Sequence, residues 1–475
     1  MIFYSDIDKY NDNIAIITDR KEQITYKELT SESDFLMQNL EKRSVLFLVC
    51  KNCIESVCGY IGALRNGIVP VMISGEMDSE LFYNLYDIYK PTYVYAPKDW
   101  SNLKQCSAYK LNKYREFVMY KTECKEKHKL NDKLALLLTT SGSTGSPKLV
   151  RQSYMNIQSN ASAIAEYLEL NENERPISTL PMNYTYGLSI INSHLLVGAT
   201  LLLTDYTLLN RDFWNFFKEE GATSFGGVPY TYEILKKLRF FRMELPSLMT
   251  MTQAGGKLSP ELHKEFAEYA ELNHKRFVVM YGQTEATARM AYLPWNKSIE
   301  KYGSMGIAIP GGKLWLRDEE GNVITERDTV GELIYEGENV TLGYAESIED
   351  LVKGDERGGI LETGDMAKCD EDGYFYIVGR KKRFLKIFGN RVNLDEVERM
   401  IKSEFTGFDC ACAGVDDKLY AFITTQEDNV RQAVKTFLTQ KTGLNPTAFS
   451  IKSIDELPKN EAGKTLYKKL EKLYD

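Results

Sequence analysis

Short apolar runs alternate with helical stretches through the first two thirds of the chain, and that alternation leaves few architectures open. Residues 45–49 (VLFLV) are continuously apolar, 54–64 carry a helical pattern, and 69–73 (VPVMI) return as an apolar run, with Gly67 and Pro70 beside the return. A short run that is apolar on both faces reads as a strand buried on both sides. A helix between two such strands is the crossover of a βαβ unit, and the sheet is then parallel. The same texture recurs at 92–95, 134–138, 199–203 and 277–280, with a helical stretch over 259–270. From about Gly303 it changes to glycine-punctuated short strands, KLWLRDEEGNVI, GELIYEG and GYFYIVG, which predict an antiparallel or β-barrel-like region.

Composition narrows the class. The chain has 475 residues, 43% hydrophobic and 27% charged, values of an ordinary globular protein that exclude a disordered or fibrous chain. Its length corresponds to roughly three domain-sized units. The 59 basic and 67 acidic residues leave a formal charge of −8, which argues against a general binder of nucleic acid or anionic membrane. No apolar stretch reaches the ~18 residues of a spanning helix. The opening MIFYSDIDKYND has acids where a signal peptide needs a basic head and an apolar run, so a soluble cytoplasmic protein is expected. The 8 cysteines form one C-x-x-C, Cys50 and Cys53, and an apolar pair, Cys410 and Cys412. With only 4 histidines beside them, buried reduced thiols are expected rather than zinc.

A basic run follows Gly379: Arg380, Lys381, Lys382, Arg383 and Lys386. On composition alone it reads as a solvated face or linker. Asn393 then reads as the cap of a helix with Leu394, Val397 and Ile401 on one face and Glu396 three residues past the cap. The natural division is 1–379 and 380–475. The fold class is α/β: a large N-terminal domain of layered α/β sheets with a β-barrel-like subdomain, followed by a small α+β C-terminal domain.

The strongest chemical signal follows the apolar run 134–138: Thr139, Thr140, Ser141, Gly142, Ser143, Thr144, Gly145, Ser146, Pro147 and Lys148. Two glycines allow tight turns, hydroxyls and free amides can surround phosphate oxygens, and Lys148 adds a positive charge. It is not a G-x-x-x-x-G-K-[ST] loop, and the chain holds no G-x-G, G-x-S-x-G or H-E-x-x-H.

This loop resembles the phosphate loop of the adenylate-forming (AMP-binding) superfamily of acyl-CoA synthetases, carrier-loading adenylation domains and luciferases. Further motifs of that superfamily follow in order: YGQTE at 281–285, GELIYEG with Gly343 and Tyr344, TGD at 363–365, Gly379-Arg380 with Lys382, Lys386 and Gly389, and PKNEAGK at 458–464. The match runs from about residue 20 to 470.

The resemblance implies ATP and Mg²⁺ as reactants and a role for each motif. Thr140, Ser141, Gly142, Ser143, Thr144, Gly145 and Lys148 would hold the phosphates, with Thr144 and Lys148 also acting in catalysis, and Glu285 would be the catalytic metal ligand. Gly255, Gly256 and Tyr281 would hold the adenine, Gly282 and Thr284 would also bind the nucleotide, and Asp365 and Arg380 would take the ribose. Lys464 would stabilise charge as the acid attacks the α-phosphorus. The terminal domain would be mobile, turning about a hinge near 380–382 at Lys382. That turn would bring Lys386 into the site, with Gly389 leaving room for the pantetheine arm of CoA or of a carrier protein. Tyr184, Tyr186, Val228 and Gly255 would wall the acid pocket.

Departures matter as well. Leu149 stands at a usual glycine, Tyr154 and Tyr184 stand where many members have histidine, and Tyr467 replaces a common arginine. Relatives that load α-amino acids place an Asp where this chain has Thr185. A buried ammonium without a counter-charge is costly, so the expected substrate lacks an α-amino group. The expectation is adenylation followed by transfer to a thiol. A stand-alone enzyme that loads a carrier and a non-catalytic nucleotide-binding relic remain as alternatives.

Overall fold

The structure is a computed structural model that describes residues 2–106, 108–124, 129–139, 148–388, 390–459 and 465–474. Its described residues fall into two compact units. One comprises the chain up to Leu314 together with 335–361; the other comprises 315–334 and 362 onward.

Two large sheets build the first unit. At the centre of an eight-stranded sheet, Leu134–Thr139, Val69–Ser74, Val45–Cys50 and Tyr93–Pro97 lie side by side. They run parallel, with Val45 opposite Val69, Val71 opposite Leu137 and Leu46 opposite Tyr93. The helix Ile54–Arg65 is the crossover and buries nearly its whole length, so the βαβ expectation holds. In a nine-stranded sheet, Leu201–Leu203, Pro176–Ile177, Ser224–Gly227, Thr250–Gln253 and Arg276–Tyr281 are successive parallel neighbours.

The glycine-punctuated region forms a five-stranded sheet in the order Val323–Ile324, Lys313–Arg317, Gly331–Glu336, Ile360–Cys369, Phe375–Arg380. It is open, so the β-barrel-like expectation is corrected, while its outer pairs, Lys313–Arg317 with Val323–Ile324 and Ile360–Cys369 with Phe375–Arg380, run antiparallel as expected. Closure needs the two outer strands to pair, and one of them is only 2 residues long.

The end of the chain is α+β. Cys410–Val415, Lys418–Ile423 and Phe449–Ser453 form a sheet against the helices Leu394–Glu404 and Asp428–Thr442. Asn393 caps the first helix, its Oδ1 accepting from the Asp395 amide at 2.9 Å. All eight cysteines are free, and Cys410 and Cys412 are buried. Among the described residues no helix is long and apolar enough to cross a membrane, and no group of three or more His, Cys, Asp or Glu is placed to hold a metal.

Candidate active site

Three neighbouring parallel strands end together. Gly227 is in register with Gln253, and Gln253 with Val279. The residues that leave these ends are Val228, Gly255, Gly256 and Gly282. In open α/β sheets the crevice outside the carboxyl ends of the strands is where ligands bind.

At the second of these ends Gly255 has φ +82°, and a Cβ there would lie 2.5 Å from Tyr184 Oη and 3.1 Å from Val228 Cγ1. Three of the expected pocket residues thus meet at one point, and only glycine fits between them. The fourth, Tyr186, stands edge-to-face with Tyr184 at 6.4 Å and shares a 2.8 Å hydrogen bond with Thr252 Oγ1. Burial raises both phenols, so both rings are neutral walls. Gln253 Nε2 donates to the carbonyls of Ala254 and Gly256, at 3.1 and 2.9 Å, and holds the glycine loop in place.

At the third end the chain turns hard. A Cβ on Gly282 would lie 1.7 Å from the Ala288 carbonyl oxygen, so the turn folds back onto its own start. Gln283 Nε2 donates to Tyr281 Oη at 3.1 Å, and Thr284 opens a short 3₁₀ turn, Thr284–Ala286. Thr287 follows at φ +64°, ψ −62°, with the Ala288 amide bonded to the Ala286 carbonyl at 2.7 Å. That is a γ-turn of the rare, strained hand, here on a buried β-branched residue. It is held from both sides: the Thr185 hydroxyl donates to the Thr287 carbonyl, and Thr287 Oγ1 donates to the Asn339 carbonyl at 2.7 Å. Thr185 is therefore committed to the backbone, and no carboxylate stands in its place.

The turn presents Glu285. Its Oε1 accepts from the Tyr344 hydroxyl at 2.7 Å, and its Oε2 has no partner among the described residues. Lys148 Nζ lies 3.6 Å from the centre of the Tyr344 ring and 3.4 Å from Glu346 Oε1, and the Arg357 guanidinium is 4.8 Å from the same ring. One tyrosine thus joins the expected cation, Lys148, to the expected metal ligand, Glu285. Burial, then the Glu285 charge, push Tyr344 up to about 12, so it remains a proton donor. Sequence reasoning quoted Tyr344 only as part of a motif and missed Arg357. The motif position was the available signal for Tyr344, and nothing local marks Arg357.

Glu285 fits a magnesium ion. Mg²⁺ is a hard cation usually held by one or two carboxylates plus substrate phosphates and water, and Glu285 offers an oxygen with no other partner among the described residues.

In the second unit, Asp365 and Arg380 are cross-strand partners, joined by a 2.8 Å contact between Arg380 Nε and Asp365 Oδ1. Asp365 is 3% exposed and its amide donates to Thr363 Oγ1. The basic run is not simply solvated. Arg383 is buried, paired with Asp395 and Glu398, donates to the Cys412 carbonyl at 2.8 Å and lies 3.7 Å from the Tyr467 ring. Tyr467, which replaces a common arginine, closes this network by donating to Glu398 Oε2 at 3.2 Å.

Thr140, Ser141, Gly142, Ser143, Thr144, Gly145, Gly389 and Lys464 lie outside the described residues, as do the side chains of Lys382 and Lys386. The phosphate-loop segment is entered and left by paired strands, with Thr139 opposite Leu149.

With this geometry in view, the comparisons with known proteins are informative. The family profile for AMP-binding enzymes matches residues 3–345. The chain belongs to that family. Its curated relatives include a 4-hydroxybutyrate–CoA ligase of Metallosphaera sedula, 26% identical over 94% of this chain and 84% of the relative. Another is a 2-succinylbenzoate–CoA ligase of Geobacillus sp., 27% identical over 72% of this chain and 69% of the relative. Among solved structures, o-succinylbenzoate CoA synthetase of Bacillus subtilis, in complex with its acyl-adenylate intermediate, superposes with a TM-score of 0.78. It covers 99% of this AMP-binding chain and 97% of its own, at 19% identity. MatB of Rhodopseudomonas palustris has a TM-score of 0.77 at 21% identity, covering 100% and 98% of the two chains. Both likenesses speak for the fold.

Proposed function

We propose that this AMP-binding enzyme is an ATP-dependent acid–CoA ligase. It joins a carboxylic acid lacking an α-amino group to AMP, releasing pyrophosphate, and then passes the acyl group to a thiol. The observation that carries the reading is the shared contact of Lys148 and Glu285 with Tyr344. It sets a phosphate-seeking cation and a metal-seeking carboxylate beside the carboxyl ends of parallel strands. Relatives named for CoA ligation of 4-hydroxybutyrate, 2-succinylbenzoate and oxalate support an organic acid as substrate. Thr185, bonded to the backbone where an ammonium would need a carboxylate, supports the absence of an amino group.

In this reading residues 140–145 and Lys148 hold the phosphates and Glu285 holds Mg²⁺. Gly255, Gly256 and Tyr281 frame the adenine, Gly282 and Thr284 also bind the nucleotide, and Asp365 with Arg380 takes the ribose. Tyr184, Tyr186, Val228 and Gly255 wall the acid. Residues 1–379 and 380–475 act as separate bodies about Lys382. Lys464 serves the adenylation half; Lys386 and Gly389 serve the thiol half, with CoA as the acceptor.

The test is carboxylate-dependent pyrophosphate exchange over a panel of acids, followed by CoA and a holo-carrier protein as acceptors. Exchange with a non-amino acid and transfer to CoA is the expected result. Transfer only to the carrier would overturn the acceptor, and no exchange with any acid would overturn the ligase reading itself.

A further inference from the structure

Three arginines are buried among the described residues: Arg151, Arg289 and Arg383. Arg151 pairs with Glu356, and Arg383 pairs with Asp395 and Glu398. Arg289, 2% exposed and four residues past Glu285, has no carboxylate partner among the described residues. Its Nε donates to Ser189 Oγ at 3.2 Å, and Nη1 reaches Tyr167 Oη at 3.1 Å and Met280 Sδ at 3.2 Å. Nη2 makes no hydrogen bond with any described residue, and the guanidinium carbon lies 5.1 Å from the centre of the Tyr186 ring. Burial raises the phenols of Tyr167 and Tyr186, so every neighbour is neutral.

A guanidinium is always charged, and burying it among neutral groups is heavily penalised unless an anion joins it. A methionine would fill the space without that penalty. The arginine is moreover aimed with care. Its carbonyl accepts from Asn160 Nδ2 at 2.8 Å and Asn339 Nδ2 at 3.0 Å, and its amide donates to Asn160 Oδ1 at 3.4 Å. Tyr186, whose ring it faces, is the neighbour of Tyr184, and Ser189 lies one turn further along the same helix, Thr185–Leu196. The unpaired cation therefore sits beside the side chains that wall the proposed acid pocket.

We propose that Arg289 anchors a second carboxylate of the substrate, so that the acid activated here is a dicarboxylic acid. One carboxylate is adenylated; the other supplies the counter-ion, taking the hydrogens of Nη2, which no described residue accepts, in a charge-assisted pair while Nε and Nη1 keep their present partners. The inference rests on the ligase reading above and names its substrate class.

The test pairs acids of equal chain length in pyrophosphate exchange: succinate with butyrate, glutarate with valerate, adipate with hexanoate, suberate with octanoate. In the unaltered enzyme at least one dicarboxylate should exceed its partner by about 10²-fold or more in kcat/KM, because a site built around a polar group rejects the analogue that lacks it. Arg289→Met should reverse that preference, Arg289→Lys should restore part of it, and the preferred dicarboxylate should raise the melting temperature of the unaltered protein but not of Arg289→Met. A monocarboxylate that matches or beats its partner in every pair overturns the proposal and leaves the ligase reading standing. So does an Arg289→Met enzyme that keeps the dicarboxylate preference. Exchange with no acid at all removes both. The paired acids on the unaltered enzyme decide the matter even if the substituted protein fails to fold.

Discussion

Tyr344 shows how much of the site hangs on single side chains. Its hydroxyl orients Glu285 and its ring carries Lys148 and Arg357, so Tyr344→Phe separates the two duties. The ring stays and the bond to a charged acceptor goes, which should lower pyrophosphate exchange about tenfold and raise the Mg²⁺ needed for half-maximal rate; a magnesium titration of both enzymes checks this. Lys464 makes a different contribution. Joining a carboxylate to the α-phosphorus crowds two anions, and a cation delivered there acts mainly on the transition state. Lys464→Ala should slow exchange by roughly 10²–10³-fold while equilibrium ATP binding stays nearly intact. The residues of these motifs are readable because each motif is contiguous. Arg289 is not: its partners Ser189 and Tyr167 are 100 and 122 positions away, and no local pattern distinguishes a buried arginine from a surface one. Arg383 was hidden for a related reason, since its neighbours in the chain are basic while its carboxylates come from the next helix.

Among the elements, the three parallel strand ends set the site, and only the last, Arg276–Tyr281, was legible, because its continuous apolar run 277–280 marks a strand buried on both faces; Ser224–Gly227 and Thr250–Gln253, SFGG and TMTQ, carry no such run. The openness of the five-stranded sheet was not legible either. Glycine-punctuated short strands look alike whether the outer two pair or stay apart, and only their lengths and edge partners decide. The loop after Thr250–Gln253 gives a sharp test. Gly255→Ala would place a methyl at φ +82° and within 2.5 Å of Tyr184 Oη. It should cost about 1–3 kcal/mol of stability from the backbone alone. It should also raise KM for the acid more than KM for ATP, since Tyr184 must move; urea unfolding and steady-state kinetics measure the two effects.

For the molecule as a whole, two buried histidines set an acid limit. Burial, helped at His194 by the Arg289 charge, lowers both His194 and His263 from 6.5 to about 4. His263 Nδ1 accepts from the Gly303 amide at 3.0 Å, and His194 Nδ1 bonds the Ile190 carbonyl at 2.8 Å, so a second proton breaks one bond in the first case and buries a charge in the second. Between those values the unfolded chain binds protons that the folded chain refuses. The histidines' contribution to stability is therefore complete above about pH 6.5 and is lost as the pH drops toward 4. The urea midpoint should follow that slope, and exchanging both histidines for glutamine should flatten it.

The γ-turn at Thr287 has a consequence for adaptation. A β-branched residue at φ +64°, ψ −62° holds free energy that glycine would release. A lineage selected for heat endurance alone should lose this threonine early, and one selected for turnover should keep it. Position 287 is thus where durability and speed compete within a single codon.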